Sequence, residues 1–540
     1  YLNMNKNFGT DGEISFSGLL GYNQRRSSFQ SIYASTNGGL VVPGVYALSN
    51  SVAAPAAPSE GSNTIGVDGI YGQASVGYQN FLYLDLSARQ DVSSTLPVEN
   101  NTYFYPAASL SLIWSEFVDS DILSFGKLRA NWANVGSDAP ANALVDAYGI
   151  GTPFNGTTLA SAPSTQNNST LLPENTASTE LGLEVKLFDN RFGFDLSAYQ
   201  RSTTNQILPA QVSTATGTYY KYVNAGQVDN QGFEVSSYIT PVKTKDFQWD
   251  VNINWSTNDN TVVSLFGDSE SLLLGSVQGG VNMTARVGES YGTLEGTQYV
   301  RAGGDGAPLV YDWVSSRGGA RYYTGDVGVI GNVQADWRGG INNAISYKNI
   351  RLSALVDAQM GGNFFSLDTY YGYGTGVYDF QAGTNAAGNP IRTNVEDGGG
   401  LTFEEVAYLG IETPQQWDGV TVDADGNPVG TENSTPMWMN DYGNAMGWAL
   451  GGPKEMHIHD ASFVKLREVA LTYTLPTSAL AGLPVAGVDV SFIGRNLAIL
   501  YKNTPWSDPE AGLAAGNLQG YQSGAYPTLR EVGVNLRVKF

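Results

Sequence analysis

No cysteine occurs in the 540 residues of this chain, which excludes thiol catalysis, disulfide staples and thiolate metal sites. No apolar run approaches the roughly 18 residues that a membrane-crossing helix requires. A membrane-spanning form would therefore have to be a closed β-barrel, the other architecture that satisfies every backbone group in lipid. Charge is sparse, at 14% of residues, and one-sided, with a formal net charge of −22. A polyanion binder needs a basic face, so nucleic acid is excluded as a partner. The chain opens at Tyr1-Leu2-Asn3 without a basic stretch leading into an apolar core, so no signal peptide is read there, as expected of a mature or truncated exported chain. Catalytic signatures are missing too: there is no G-x-S-x-G elbow, H-E-x-x-H pair or P-loop. Carboxylates abound, with 50 Asp and Glu, yet nothing in their spacing brings two together as a glycosidase pair. The chain is not expected to be an enzyme, and no cofactor is implied.

What is abundant is glycine, with 65 residues, and tyrosine, with 31, a composition that suits many strands and turns. The length exceeds the about 250–300 residues of one ordinary soluble core. Period-2 alternation runs through long segments. Phe247, Trp249, Val251, Ile253 and Trp255 alternate with Gln248, Asp250, Asn252, Asn254 and Ser256. Ile350, Leu352, Ala354, Val356, Ala358 and Met360 alternate mainly with Arg351, Ser353, Asp357 and Gln359. Side chains alternate across a strand, so each segment has one apolar and one polar face. Soluble strands average about 5–6 residues, whereas a tilted membrane strand needs about 9–11. Residues 247–255 rise about 26 Å and, tilted by ~40°, span about 20 Å, near the height of a lipid-facing band with aromatic girdles. The length of these strands also argues against a soluble carbohydrate-active β-protein.

Connections alternate between short and long. Tight turns are predicted near 9–12, 79–80, 189–191, 240–246 and 348–349, with a longer one at 476–486. Long connections are predicted at roughly 28–65, 94–103, 137–175, 209–229, 362–459 and 501–525. Short periplasmic turns and long extracellular loops are the pattern of outer-membrane barrels. Parity requires an even number of strands between the turns at 240–246 and 348–349; two are clear and two more are expected within 281–330. The fold expected is all-β, a transmembrane antiparallel barrel with about 15–17 strands present, an odd number that implies missing early strands. Val532, Val534, Leu536, Val538 and Phe540 alternate with polar residues to the last position. Val534, Leu536, Val538 and Phe540 look like the terminal signal by which the barrel assembly machinery recognises outer-membrane proteins.

Several segments resemble the SusC-like TonB-dependent transporters of Bacteroidetes outer membranes. Tyr83-Leu84-Asp85-Leu86-Ser87-Ala88-Arg89-Gln90-Asp91 is similar to that family's strand ending in an Arg-x-Asp turn. Leu172-Pro173-Glu174, Asn230-Gln231-Gly232-Phe233-Glu234 and Gly339-Gly340-Ile341-Asn342-Asn343 resemble further blocks. The most specific part runs from Ala461-Ser462-Phe463-Val464-Lys465-Leu466-Arg467-Glu468-Val469 through Gly494-Arg495-Asn496-Leu497 to Asp508-Pro509-Glu510. The resemblance implies the C-terminal portion of a barrel of about 22 strands, in the outer membrane of a Gram-negative, Bacteroidetes-type cell. It implies TonB-dependent import of an oligosaccharide or peptide with a SusD-like surface lipoprotein as lid. The TonB complex would act through an N-terminal plug and TonB box that 1–540 does not carry. A structural or secretion-associated barrel is the alternative.

Candidate contact residues cluster in the large loop at about 362–459: Tyr370, Tyr371, Tyr373, Tyr378, Trp417, Trp438, Tyr442 and Trp448. Aromatic rings there suit sugar stacking, a seam against the lipoprotein, or packing within the loop. Asp423-Ala424-Asp425-Gly426-Asn427 begins like a calcium loop but has Ser434 where a bidentate Glu is required, so a polar turn is expected. His457 and His459, the only two histidines, stand beside Asp460; a polar strand rim is expected there in preference to a metal site.

Overall fold

The computed structural model describes residues 1–9, 12–151, 153–301, 310–312, 320–402, 405, 418–422, 428–431, 436, 452–482, 484–513 and 515–540. They form two compact units, one of residues 1–188, 197–231 and 263–270, the other of 189–196, 232–262 and 271–540.

The first unit is an antiparallel sheet whose strands follow chain order: β1 (Leu2–Phe8), β2 (Ile14–Tyr33), β3 (Ser59–Tyr78), β4 (Leu82–Ser93), β5 (Thr102–Leu112), β6 (Leu123–Ser137) and β7 (Glu174–Leu187). β8 (Phe192–Gln211) and β9 (Tyr220–Lys243) divide their residues between the units. Register produces two kinds of row across the strands. Phe16, Val76, Leu84, Leu110, Ala130 and Leu181 lie side by side, and Val76, Leu84, Leu110 and Leu181 are exposed. The next row is Ser75, Asp85, Ser109, Asn131 and Glu180, where Ser109 Oγ donates to Asn131 Oδ1 at 2.6 Å. One face is thus apolar yet open and the other polar, as a wall between lipid and water requires.

The hydrophobic core of this unit is in its connections, where Leu96, Ala139, Ala143 and Leu171 pack together with Tyr103 and Ile207 against them. A wall wetted by lipid on one side and water on the other has no need of a core between its faces. Its long loops do, because they must bury their own apolar side chains.

Strands run farther than the sequence suggested. β2 and β3 pair continuously from Ile14 opposite Tyr78 to Tyr33 opposite Ser59, so the connection expected at 28–65 shrinks to 34–58. Apolar alternation fades beyond Tyr22, but the backbone ladder does not depend on it. Arg26 forms a bidentate pair with Asp68 at 2.8 and 2.9 Å, and Ser28 lies 3.3 Å from Thr64. The segment Arg89-Gln90-Asp91, expected as a turn, also lies inside a strand, since β4 continues to Ser93. Arg89 and Asp91 share the polar face at spacing two, with Arg89 Nε donating to Asp91 at 3.0 Å and Tyr105 OH donating at 2.8 Å. The tight turn at 79–80 is present, with φ of +46° at Gln79 and +60° at Asn80, the geometry whose twist suits a two-residue hairpin.

The second unit continues with β10 (Phe247–Ser264), whose last two residues fall in the first unit, then β11 (Ser271–Ser276), β12 (Asn282–Arg286), β13 (Thr293–Tyr299) and β14 (Thr324–Asn332). Next come β15 (Trp337–Tyr347), β16 (Ile350–Met360), β17 (Asn363–Ser366) and helix α1 (Leu367–Thr375). Last are β18 (Ile458–Asp460), β19 (Phe463–Thr474), β20 (Gly487–Lys502), β21 (Tyr521–Gln522) and β22 (Glu531–Lys539). Its wall is β10-β15-β16-β19-β20-β22. The register aligns Trp249, Ile345, Leu352, Leu471, Phe492 and Val534 in one apolar row. Between the turns at 240–246 and 348–349 lie two wall strands, β10 and β15. The two further wall strands expected within 281–330 are not wall strands: β11, β12, β13 and β14 form a separate four-stranded sheet. Parity holds with two, and the wall path among the described residues has 15 strands.

Candidate functional site

Where β16 ends, the chain turns away from the wall and builds a cap. Gly361 and Gly362 carry φ of +75° and +79°, a left-handed pair that lets β17 leave the wall direction. β17 pairs with β18 on one side and β21 on the other. Behind this small sheet Phe365, Leu367, Tyr370 and Tyr521 are buried with Met283 and Leu294 of the four-stranded sheet and with Val281 just ahead of β12. Tyr521 OH donates to the Val281 carbonyl at 2.7 Å.

Helix α1 falls inside the loop expected at 362–459, where no helix was foreseen. Its signals are local. Ser366 is the N-cap, its Oγ accepting from Thr369 N at 3.1 Å, and Gly376 closes it with φ of +71°. This is a Ser/Gly bracket that a search for strand periodicity passes over. One helix face presents Tyr370 and Tyr373 to the interior, at 8% and 1% exposure. Lys454 Nζ donates to Tyr370 OH at 3.2 Å and lies 4.6 Å from its ring centroid. Gly372 leaves room for Tyr378, since a Cβ there would stand 2.4 Å from that ring. Gly372→Ala is therefore expected to displace Tyr378 and cost about 1–3 kcal/mol, read as a lower thermal midpoint and an altered tryptophan emission.

Of the eight loop aromatics, Tyr370 and Tyr373 are interior, Tyr378 is half-buried, and Tyr371 is exposed with its OH donating to Gln278 at 3.2 Å. Trp417, Trp438, Tyr442 and Trp448 lie outside the described residues, as does Asp423-Ala424-Asp425-Gly426-Asn427. Two rings were missed. Phe380 lies in the same loop, and Trp506 arrives from the next long connection to join Tyr373 and Tyr378. The cluster joins two connections that lie far apart in the chain. The usable signal was the position of Trp506 two residues ahead of Asp508-Pro509-Glu510. Burial pushes the Tyr378 phenol up to about 12, so it remains a hydrogen-bond donor.

The Asp508-Pro509-Glu510 segment explains why the last resembling blocks are so specific. Lys465, on β19, is buried and pairs with both Asp508 and Glu510 at 2.5 Å. Arg467, two residues on and therefore on the same strand face, pairs with Glu510 at 2.5 Å and with Asp357 of β16 at 2.8 Å. Asp508 also accepts from Thr528 N and Oγ1 at 3.1 and 2.5 Å. Burial alone would raise its pKa, but the bonds from Lys465 and Thr528 outweigh that and hold it at about 2. This latch ties the 503–530 connection to the wall.

Among the described residues no group of three or more His, Asp and Glu side chains is close enough to hold an ion. Both histidine rings instead approach one hydroxyl, with His457 Nδ1 and His459 Nε2 each 3.2 Å from Thr369 Oγ1. Asp460 turns elsewhere, accepting from Ser462 N at 2.7 Å and Asn503 Nδ2 at 2.7 Å. Burial lowers both imidazoles, His459 to about 4, while His459 and Lys454 lower His457 further. Unfolded, His459 takes up a proton below the ordinary histidine pKa of about 6.5, and folded it does not until about 4. This contribution to stability is complete above pH 6.5 and is lost as pH falls toward 4. Lowering the pH from 7 to 4.5 should weaken the cap by about 2–3 kcal/mol through His459 alone, with His457 acting in the same direction, seen as faster amide exchange in α1.

Two cavities open on the cap. A cleft of about 470 Å³ is bordered by α1, His459 and residues 504–507, with Asp368, Tyr378 and Trp506 in its lining. A second, of about 300 Å³, has Arg338, Gln359, Asn363, Glu510, Gln519 and Gln522 in its walls. Far from both in sequence, Val534, Leu536 and Val538 pair opposite Phe492, Val490 and Val488 on β20, and Phe540 is 92% exposed just beyond β22.

Residues 1–354 match the family described as TonB dependent receptor-like, beta-barrel. The chain is 24% identical to TonB-dependent receptor P3 of Formosa agariphila, over 100% of this chain and 52% of that protein. It is 24% identical to TonB-dependent receptor SusC of Bacteroides thetaiotaomicron, over 75% of this chain and 37% of that protein. The solved structure of the RagAB peptide transporter covers 100% of this chain and 55% of its own, at 18% identity and a TM-score of 0.73, a likeness of fold. The chain spans about half the length of the curated relatives it matches. With the matched residues covering well over half of it and antiparallel wall strands throughout, the chain belongs to the TonB-dependent receptor-like β-barrel family of the outer membrane.

Proposed function

We propose that this chain forms wall and cap of an importer that carries an oligosaccharide or a peptide across the outer membrane of a Bacteroidetes cell. It would be driven by the TonB complex and would work with a SusD-like surface lipoprotein. The observation that carries the reading is the pairing of two features within the second unit. An outward apolar row crosses six wall strands, and an ordered cap with an open, aromatic-edged cleft hangs from the same strands. A barrel that only stiffens the membrane has no use for such a cleft. Catalysis is not part of the proposal. The test is uptake of labelled oligosaccharides and peptides by cells carrying the full-length protein, with and without a functional TonB complex. TonB-dependent uptake with a co-purifying lipoprotein is expected. Export of a protein cargo, with no TonB-dependent uptake, would favour a secretion-associated barrel instead.

A further inference from the structure

The 470 Å³ cleft is built like a sugar site. Tyr373, Tyr378, Phe380 and Trp506 have ring centroids 4.4–6.2 Å from one another in every pairing. The four rings therefore pack as one cluster, with Phe380 stacked against Trp506 and Tyr373 edge-on to it. Trp506 and Tyr378 also line the cleft. Around this platform stand acceptors and hydroxyls. Asp368 accepts from Gly524 N at 2.8 Å through Oδ1 and from Gln522 Nε2 through Oδ2, which leaves each carboxylate oxygen a further lone pair. The hydroxyls of Ser507 and Ser523 line the cleft and make no hydrogen bond among the described residues. No lysine or arginine lines it among those residues.

A flat apolar face beside a rim of acceptors and hydroxyls matches a pyranose ring, whose C–H face is apolar and whose edge is a ring of hydroxyl donors. A carboxylate with no cation beside it disfavours sulfate or uronate groups. We propose that this cleft binds a neutral sugar unit of the transported cargo, with Trp506 as the stacking platform and Asp368 as the hydroxyl acceptor, an inference that rests on the importer reading above.

The test uses the full-length transporter purified with its surface lipoprotein. The probes are neutral hexasaccharides of glucose, mannose and xylose, a sulfated carrageenan hexasaccharide, and hexa-alanine. Calorimetry should find a neutral hexasaccharide as the tightest ligand, weakened at least about tenfold by Trp506→Ala. Because Trp506 also packs in the ring cluster, Thr375→Trp supplies a second variant: Thr375 is exposed at the cleft edge, and a bulky ring there should block binding while the fold persists. Wild-type affinity in both variants overturns the subsite, as does tightest binding of the sulfated sugar or the peptide, or no binding of any neutral sugar. Uptake by cells separates the two readings. TonB-dependent import of any probe keeps the importer even if the subsite falls, and import of none removes the importer itself.

Discussion

Lys465→Met is expected to cost the second unit about 3–5 kcal/mol, the largest single-residue loss in the cap. The side chains of Lys465 and Asp508 are 2% and 3% exposed, so the ammonium is the principal charge compensating a carboxylate that has left water. Removing one member of a buried pair leaves the other uncompensated, and that penalty is of this size. Glu510 would retain Arg467, and Asp508 would retain Thr528, so the connection should loosen near residues 508–512 before the wall does. Limited proteolysis of the detergent-solubilised protein should show new cleavage there. The double variant Lys465→Met with Asp508→Leu should recover much of the loss, because it removes the stranded charge along with its partner. A double-mutant cycle with no coupling would mean that the latch is decorative. The acid limit follows from the same pair. With Asp508 held at about 2, its share of stability is fully present above pH 4 and is lost only as pH falls through 2. Softening between pH 6.5 and 4 would therefore be the signature of the histidines.

Leu352→Arg should destabilise the membrane-inserted protein by about 2–4 kcal/mol, with the larger value if the residue sits at the bilayer midplane. Leu352 is 46% exposed in the middle of the apolar row, flanked by Ile345 on β15 and Leu471 on β19. Its chain neighbour already carries a guanidinium: Arg351, on the other face, reaches Asp250 at 3.7 Å and Ser346 at 3.3 Å. The same side chain is thus tolerated at 351 and penalised at 352, and only the pleat separates them. Arg351→Gln should shift stability by no more than about 0.5 kcal/mol, as exposed substitutions do. Guanidinium unfolding in phospholipid vesicles measures both. Equal effects at 351 and 352 would contradict the assignment of faces.

These cases mark what sequence alone could decide. Alternation in 247–255 and 350–360 determined the wall strands and their faces, because a period of two is a local property that no distant contact can alter. Turn chemistry at 79–80 and 348–349 was equally local. The ends of strands were not: β2 and β3 continue past their apolar segments because each supplies the other's hydrogen-bond ladder, and Arg26 and Asp68 lie 42 residues apart. Two strands were expected within 281–330 where the structure has a separate four-stranded sheet over 271–332, because membership of the wall depends on which edge is free to pair. The candidate site was least legible. Tyr370 and Tyr373 look as available as Tyr371 in the sequence, yet helix α1 turns them inward, and Trp506 reaches Tyr373 from more than a hundred residues away. Sequence determined that this chain makes a two-faced wall with aromatic-rich loops. Only the tertiary structure decided which aromatics fill a core and which border a cleft, since burial follows from contacts between segments that the chain order does not reveal.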